Sequence, residues 1–223
     1  MITSLGRRLV SEFVGTLFLL AAIVGSGIMA ERLSQGNVAL ALLANTIATG
    51  AVLLALILAL RDISGPHLNP VVTLADAWQG GIAWREAPAY IAVQIAGAFA
   101  GVALAHLMFG LPLFVASTHA RTGPPQVLSE FVATFGLMAV IWGCVRTRPS
   151  AVAYAVSAYI MAAYWFTAST SFANPAVTLA RACTNSFAGI RPSDVLPFIT
   201  AQLAGGFAAT ALFAWLAPKK KLA

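Results

Sequence analysis

Apolar residues run along this chain in long blocks separated by short polar breaks. The blocks show neither the alternation of a half-buried strand nor the one-sided stripe of a soluble helix. Six of them are long enough, at roughly 20 residues each, to approach or span a hydrocarbon core about 30 Å thick. They fall near residues 9–30, 38–60, 87–108, 127–145, 151–166 and 195–216. The pattern predicts an all-α membrane protein with six transmembrane helices and no soluble domain. Arg7 and Arg8 precede the first block as they would in a secretory leader. That block is too long for a leader, however, and Ile28-Met29-Ala30 lacks the small-residue pair of a cleavage site, so it is expected to stay as a span.

Composition sharpens this picture. Of 223 residues, 60% are hydrophobic and 9% charged, which excludes a surface built for water. The net charge of +6 does not indicate nucleic acid, because the basic residues are scattered between spans and form no stripe. Topology accounts for them. With the N-terminus inside, Arg7, Arg8, Arg61, Arg85, Arg146, Arg148, Lys219, Lys220 and Lys221 fall on the cytoplasmic side, and Arg32, Arg121, Arg181 and Arg191 fall outside. That bias follows the positive-inside rule and puts both termini in the cytoplasm of a plasma-membrane protein. Lys219 to Lys221 then face anionic lipid head groups of the bilayer. Cys144 and Cys183 fall on opposite sides and cannot be bridged.

Three segments occur twice in the same order: Glu12-Phe13-Val14-Gly15-Thr16 with Glu130-Phe131-Val132-Ala133-Thr134, Asn69-Pro70-Val71-Val72-Thr73 with Asn174-Pro175-Ala176-Val177-Thr178, and Gln94-Ile95-Ala96-Gly97 with Gln202-Leu203-Ala204-Gly205. The halves are 1–110 and 126–218, linked by 111–125, within a single domain of 1–223. Three crossings per half force the second copy to run the opposite way, an inverted repeat. Asn caps a helix and Pro suits its first position, so Asn69 and Asn174 each open a helix. The stretches that follow, to about Trp78 and Cys183, are roughly 10 residues or 15 Å long, enough for half a bilayer. Irregular backbone leading into such a half-helix is tolerated at membrane depth only where it lines a cavity or is buried in protein.

Ser64-Gly65-Pro66-His67-Leu68-Asn69-Pro70 and Ala173-Asn174-Pro175-Ala176 resemble the paired Asn-Pro-Ala signatures of the aquaporin and aquaglyceroporin family, over essentially the whole chain. The resemblance implies six transmembrane helices plus two re-entrant half-helices, and a homotetramer with one pore per protomer. It implies that Asn69 and Asn174 meet at the midplane and donate hydrogen bonds to passing solute. It also makes Glu12 and Glu130 scaffold residues that accept from the loop backbones, and His67 a solute-facing acceptor at the inner mouth. Val71 stands where the family usually has Ala, and Val177 where it usually has Arg. By the family's spacing the outer filter comprises Thr49, Ala162, Ser171 and Val177, with Met161 or Ala163 replacing Ala162 if the register slips. Such a filter is wider, more apolar and electrically neutral. The short chain and the Val at 177 resemble bacterial aquaglyceroporin-like channels associated with arsenic resistance. That implies passage of metalloid hydroxides and methylated arsenicals, then water and glycerol.

Helical geometry adds that Arg181 lies one turn beyond Val177, about 6 Å further out, and that Asp76 is its equivalent at the inner mouth. Either the two form cationic and anionic lips of the pore, or Arg181 stabilises its helix end while Asp76 pairs with Arg61 or Arg85. Glu12 and Glu130 within apolar spans admit a second class of function, a proton-coupled transporter of inverted-repeat type. A plain glycerol and water facilitator is a further alternative. His67, His106 and His119 lack metal-ligand spacing and no Ser sits in a Gly-x-Ser-x-Gly context, so no metal, cofactor or enzymatic role is expected.

Overall fold

The computed structural model describes residues 3–216; the Lys219 to Lys221 run lies outside the described residues. Eight α-helices follow in order: α1 (Leu5–Leu33), α2 (Val38–Ser64), α3 (Pro70–Trp78), α4 (Ala87–Met108), α5 (Pro124–Thr147), α6 (Val152–Phe166), α7 (Pro175–Arg181) and α8 (Val195–Leu216), with no strand among the described residues. Five of them, α1, α2, α4, α5 and α8, are long and apolar enough to cross a membrane. The remaining expected span, α6, has 15 residues, a rise of about 22 Å at 1.5 Å per residue. A 3-10 turn at Pro149–Ala151 leads into it. The short helices α3 and α7 are the two re-entrant segments. Helix α7 stops at Arg181, two residues before the expected end.

Local chemistry sets the helix ends. The Asn37 side chain accepts from the Leu40 amide to start α2, and Gly65, with φ of 59°, turns the chain out of it. In that left-handed region a residue with a Cβ is strained. Asn69 and Asn174 open α3 and α7, each side chain accepting from amides of its own first turn and each followed by Pro.

The halves pack equivalently. Helix α1 lies against α4 and α5 against α8, and at each seam a glycine lets the backbones touch. A Cβ at Gly97 would overlap the Phe13 carbonyl oxygen, and one at Gly205 would overlap the Phe131 carbonyl oxygen. Phe13 and Phe131 belong to one repeated segment, Gly97 and Gly205 to another, so the same approach is built twice. In lipid, where helices gain little from hiding apolar surface, such close backbone contact supplies much of the attraction between them. Helix α2 meets α6, and α3 meets α7 at the centre.

Enlarging either glycine forces a seam apart. Gly205→Leu is expected to destabilise the fold by about 1–3 kcal/mol, the usual cost of overpacking, and Gly97→Leu by a similar amount. Thermal unfolding of the detergent-solubilised protein checks this, with Gly143→Ala, whose Cβ would meet only ordinary contact, as the neutral control.

Candidate functional site

The loops before α3 and α7 run through the interior, so their amides need partners there. Two carboxylates supply them. Glu12 accepts from the His67 amide at 2.9 Å and the Leu68 amide at 2.7 Å, and Glu130 accepts from Phe172 and Ala173, both at 2.9 Å. Both glutamates are fully buried. Each also receives a glutamine from the last helix of its own half, Gln94 at 2.8 Å and Gln202 at 2.6 Å. The glutamines spend their second hydrogens on Thr73 and Thr178, whose hydroxyls donate to the Asn69 and Asn174 carbonyls.

Held this way, the loops cross-link. Asn69 Nδ2 donates to the Ala173 carbonyl at 2.8 Å and Asn174 Nδ2 to the Leu68 carbonyl at 2.7 Å. Leu68 and Ala173 adopt left-handed backbone, with φ of 51° and 48°, as do Thr170 and Ser171. Four non-glycine residues in that region at one locus carry a conformational cost that a tightly bonded surround must offset. An amide NH₂ has two hydrogens, and the cross-link uses one. The second, on each asparagine, makes no bond to protein among the described residues.

A cavity of about 310 Å³ passes both asparagines. Its lining joins apolar Leu53, Ile57, Leu137, Ile141, Val156 and Ile160 to Leu68, Ala173 and the asparagines. At the end nearer Trp142 and Pro149 stand Arg61, His67 and Asp76. Asp76 pairs with His67 Nε2 at 3.5 Å, not with Arg61 or Arg85 as one expectation had it. His67 Nδ1 meets Thr73 Oγ1 at 3.1 Å and its ring lies against Tyr90.

At the opposite end the cavity is lined by Thr49, Ser171 and Val177, and the Ser171 hydroxyl is buried with no partner. Ala162 is elsewhere: it lies on the exposed face of α6, and Met161 packs against Gly50 instead. The α6 side chain beside Thr49 at this end is Tyr164, about 200° around the helix from Ala162 at 100° per residue. Its hydroxyl donates to Thr49 Oγ1 at 3.2 Å. Arg181 also lines this end, turned inward from the last residue of α7 and 2% exposed. The expected aromatic-free, neutral ring thus has a phenol and a guanidinium beside it.

Sequence reasoning also passed over Arg121. It sits in the linker between halves, buried, with Nε donating to the Gly189 carbonyl at 2.8 Å and its amide donating to Asp194 at 2.9 Å. Its guanidinium lies 5.0 Å from the centre of the Phe172 ring, which Arg181 also meets, at 3.4 Å. A linker of some 15 residues without regular structure was the available signal, since such loops are usually functional. Burial, with Arg121 and Arg181 adding, pushes the nearby His119 below its ordinary pKa, so that it is neutral at physiological pH. His106 is a structural pin, bonded to the Pro112 carbonyl and Thr184. No cluster of three or more possible metal ligands occurs among the described residues.

Two capped half-helices, each asparagine bonded to the other's loop beside one cavity, make a recognisable arrangement, and the model of the major intrinsic protein family matches residues 2–151 and 144–222. The chain belongs to the major intrinsic protein family. It is 56% identical over 212 residues to Aquaglyceroporin AqpS of Rhizobium meliloti (strain 1021), covering 95% of this chain and 91% of that one. Aquaporin NIP1-4 of Oryza sativa subsp. japonica is 38% identical over 141 residues, 60% of this chain and 49% of its own length. Among solved structures, the X-ray structure of the aquaglyceroporin from Plasmodium falciparum matches with a TM-score of 0.69 over 95% of both chains, at 19% identity, a likeness of fold. As a major intrinsic protein, the chain is a multi-pass membrane channel for small neutral solutes and not an enzyme.

The carboxylate pins generate a direct test. Glu130→Gln points an NH₂ group at donors and leaves a buried amide unsatisfied, at a cost of about 1–3 kcal/mol. The variant is expected to unfold at lower temperature and to pass less water per molecule in vesicles, and Glu12→Gln is expected to behave alike.

Proposed function

We propose that the chain is a passive pore of the plasma membrane in which Asn69 and Asn174 offer the midplane hydrogen bonds and Thr49, Ser171 and Val177 belong to the outer filter. The observation that carries this is the second hydrogen on each asparagine Nδ2, unused by the cross-link, on two residues that line one largely apolar cavity. A neutral solute exchanges its water shell for these donors on one side and slides along hydrocarbon on the other. The N-termini of α3 and α7 face each other there, and their dipoles raise the cost of a cation.

Among neutral solutes, metalloid hydroxides and methylated arsenicals come first, followed by water and glycerol. Valine at 177 leaves space for a solute bulkier than water and lets a methyl group meet an apolar surface. The relatives named aquaglyceroporins favour glycerol as well. His67 and Asp76 form the inner mouth. The resemblance supports a homotetramer with a pore in each protomer, and the distribution of basic residues supports cytoplasmic termini.

A proton-coupled transporter has less support. It needs a coupling carboxyl on the solute path, whereas Glu12 and Glu130 do not line the cavity and each is engaged by three donors of the scaffold.

Proteoliposome swelling with water, glycerol, arsenite and a methylated arsenical, comparing the native chain with Val177→Arg, tests the pore and its filter. The native chain is expected to pass all four down their gradients, and the variant to lose about tenfold or more of the bulkier fluxes, a barrier change of about 1.4 kcal/mol, with water least affected. Equal passage of bulky solutes through both removes Val177 from the filter.

A further inference from the structure

Arg181 is among the largest fully buried side chains of the described residues, and no carboxylate pairs with it among them. Arg8 and Arg191, by contrast, each hold an acidic partner at 3.0 and 2.9 Å. A guanidinium buried without a counter-ion is costly, and a retained one needs a reason. Stabilising the end of α7 does not supply it, because a cation at a helix C-terminus performs that service equally well from the surface.

The contacts of Arg181 hold it in place and leave its charge intact. Its Nε donates to the Ala188 carbonyl, and its guanidinium carbon lies over the Phe172 ring, 3.4 Å from the ring centre. Phe172 is fixed in turn: its amide is bonded to Glu130, and its ring meets Phe198 edge-on at 5.4 Å. The carboxylate that secures the second loop thereby sets the position of the arginine. Tyr164, donating to Thr49, lies on the same stretch of cavity wall.

We propose that Arg181 is the specificity-determining cation of the outer constriction, held there by the Phe172 stack, so that the filter excludes cations while Val177 keeps it wide. This rests on the pore reading above. The two requirements are met by two residues one helical turn apart. A guanidinium at 177 would fill the ring. One arriving from 181, folded back along Phe172, charges the ring from its edge. Guanidinium N–H groups only donate, so the ring favours neutral solutes that present oxygen acceptors, hydroxyl or carbonyl, over protonated amines and metal cations. At the intermediate dielectric of such a site, one uncompensated charge changes the passage of another cation by about ten- to a hundredfold.

The test uses the full chain in proteoliposomes. Glycerol flux is read by swelling, and potassium and proton leak are read under an imposed voltage, for the native chain, Arg181→Gln and Arg181→Lys. The expected result is a ratio of cation leak to glycerol flux that rises about tenfold or more in R181Q and returns to the native ratio in R181K. A purely structural arginine predicts instead that glycerol and cation fluxes change together. Unchanged cation leak in an R181Q channel that still passes glycerol overturns the proposal, as does an R181K channel that leaks as much as R181Q. If R181Q does not reach the membrane, R181K decides alone, measured from about pH 6 to about pH 10, where a buried lysine sheds its proton. Its potassium leak is expected to climb with pH while the native leak stays flat, and a flat R181K profile overturns the proposal. Absence of neutral-solute flux in the native chain would be a failure of the pore reading itself, distinguishable from all of these.

Discussion

Everything in this channel depends on keeping irregular backbone inside a membrane with its hydrogen bonds satisfied. A helix solves that problem alone, but the segments before Asn69 and Asn174 do not, and lipid offers no water in compensation. The solution is one carboxylate per loop, each accepting from two successive amides and one glutamine. With the donors occupied by Glu12 and Glu130, the Leu68 and Ala173 carbonyls are free to face the middle, where the opposite asparagine binds them. An acid in an apolar span, the least expected residue type there, makes a polar passage possible.

The asymmetry between the halves is where selectivity enters. The pins, glycines, glutamines and threonines recur with nearly equal geometry, so the scaffold is a doubled object. The two ends of the cavity are not doubled. Toward Trp142 an aspartate and a histidine of the same half pair with each other; at the other end an arginine with no carboxylate partner among the described residues lies near a phenylalanine, a tyrosine and a threonine. Symmetry builds the scaffold, and the departures from it lie at the two ends of the cavity.

The amino-acid order made the scaffold legible because its signals are local and doubled. Each Asn-Pro is a helix start in its own right, and three ordered matches fixed the repeat. The channel's rim was harder. Helix α6 reads Val-Ala-Tyr-Ala-Val-Ser-Ala-Tyr-Ile-Met-Ala-Ala-Tyr-Trp-Phe, and where both lipid and protein neighbours are apolar, periodicity cannot say which face turns inward. A two-residue slip from Ala162 to Tyr164 therefore left no trace in the pattern. Arg181 was placed one turn outward by helix geometry, and that holds for its backbone. Its side chain folds back because Phe172, from a loop, offers a ring to stack on. Arg121 was invisible for a related reason: its side chain's carbonyl partners, Ser169, Phe187 and Gly189, lie on two other loop segments, which no spacing rule brings together.

The reciprocal bonds between Asn69 and the Ala173 carbonyl and between Asn174 and the Leu68 carbonyl also impose a sequence on biogenesis. More than a hundred residues separate the partners, so while the ribosome is still making the second half, the first loop has its glutamate but not its mate. The conduit can close only when the last helices have arrived and the late half docks against the early one, making its completion one of the final events in the birth of the molecule.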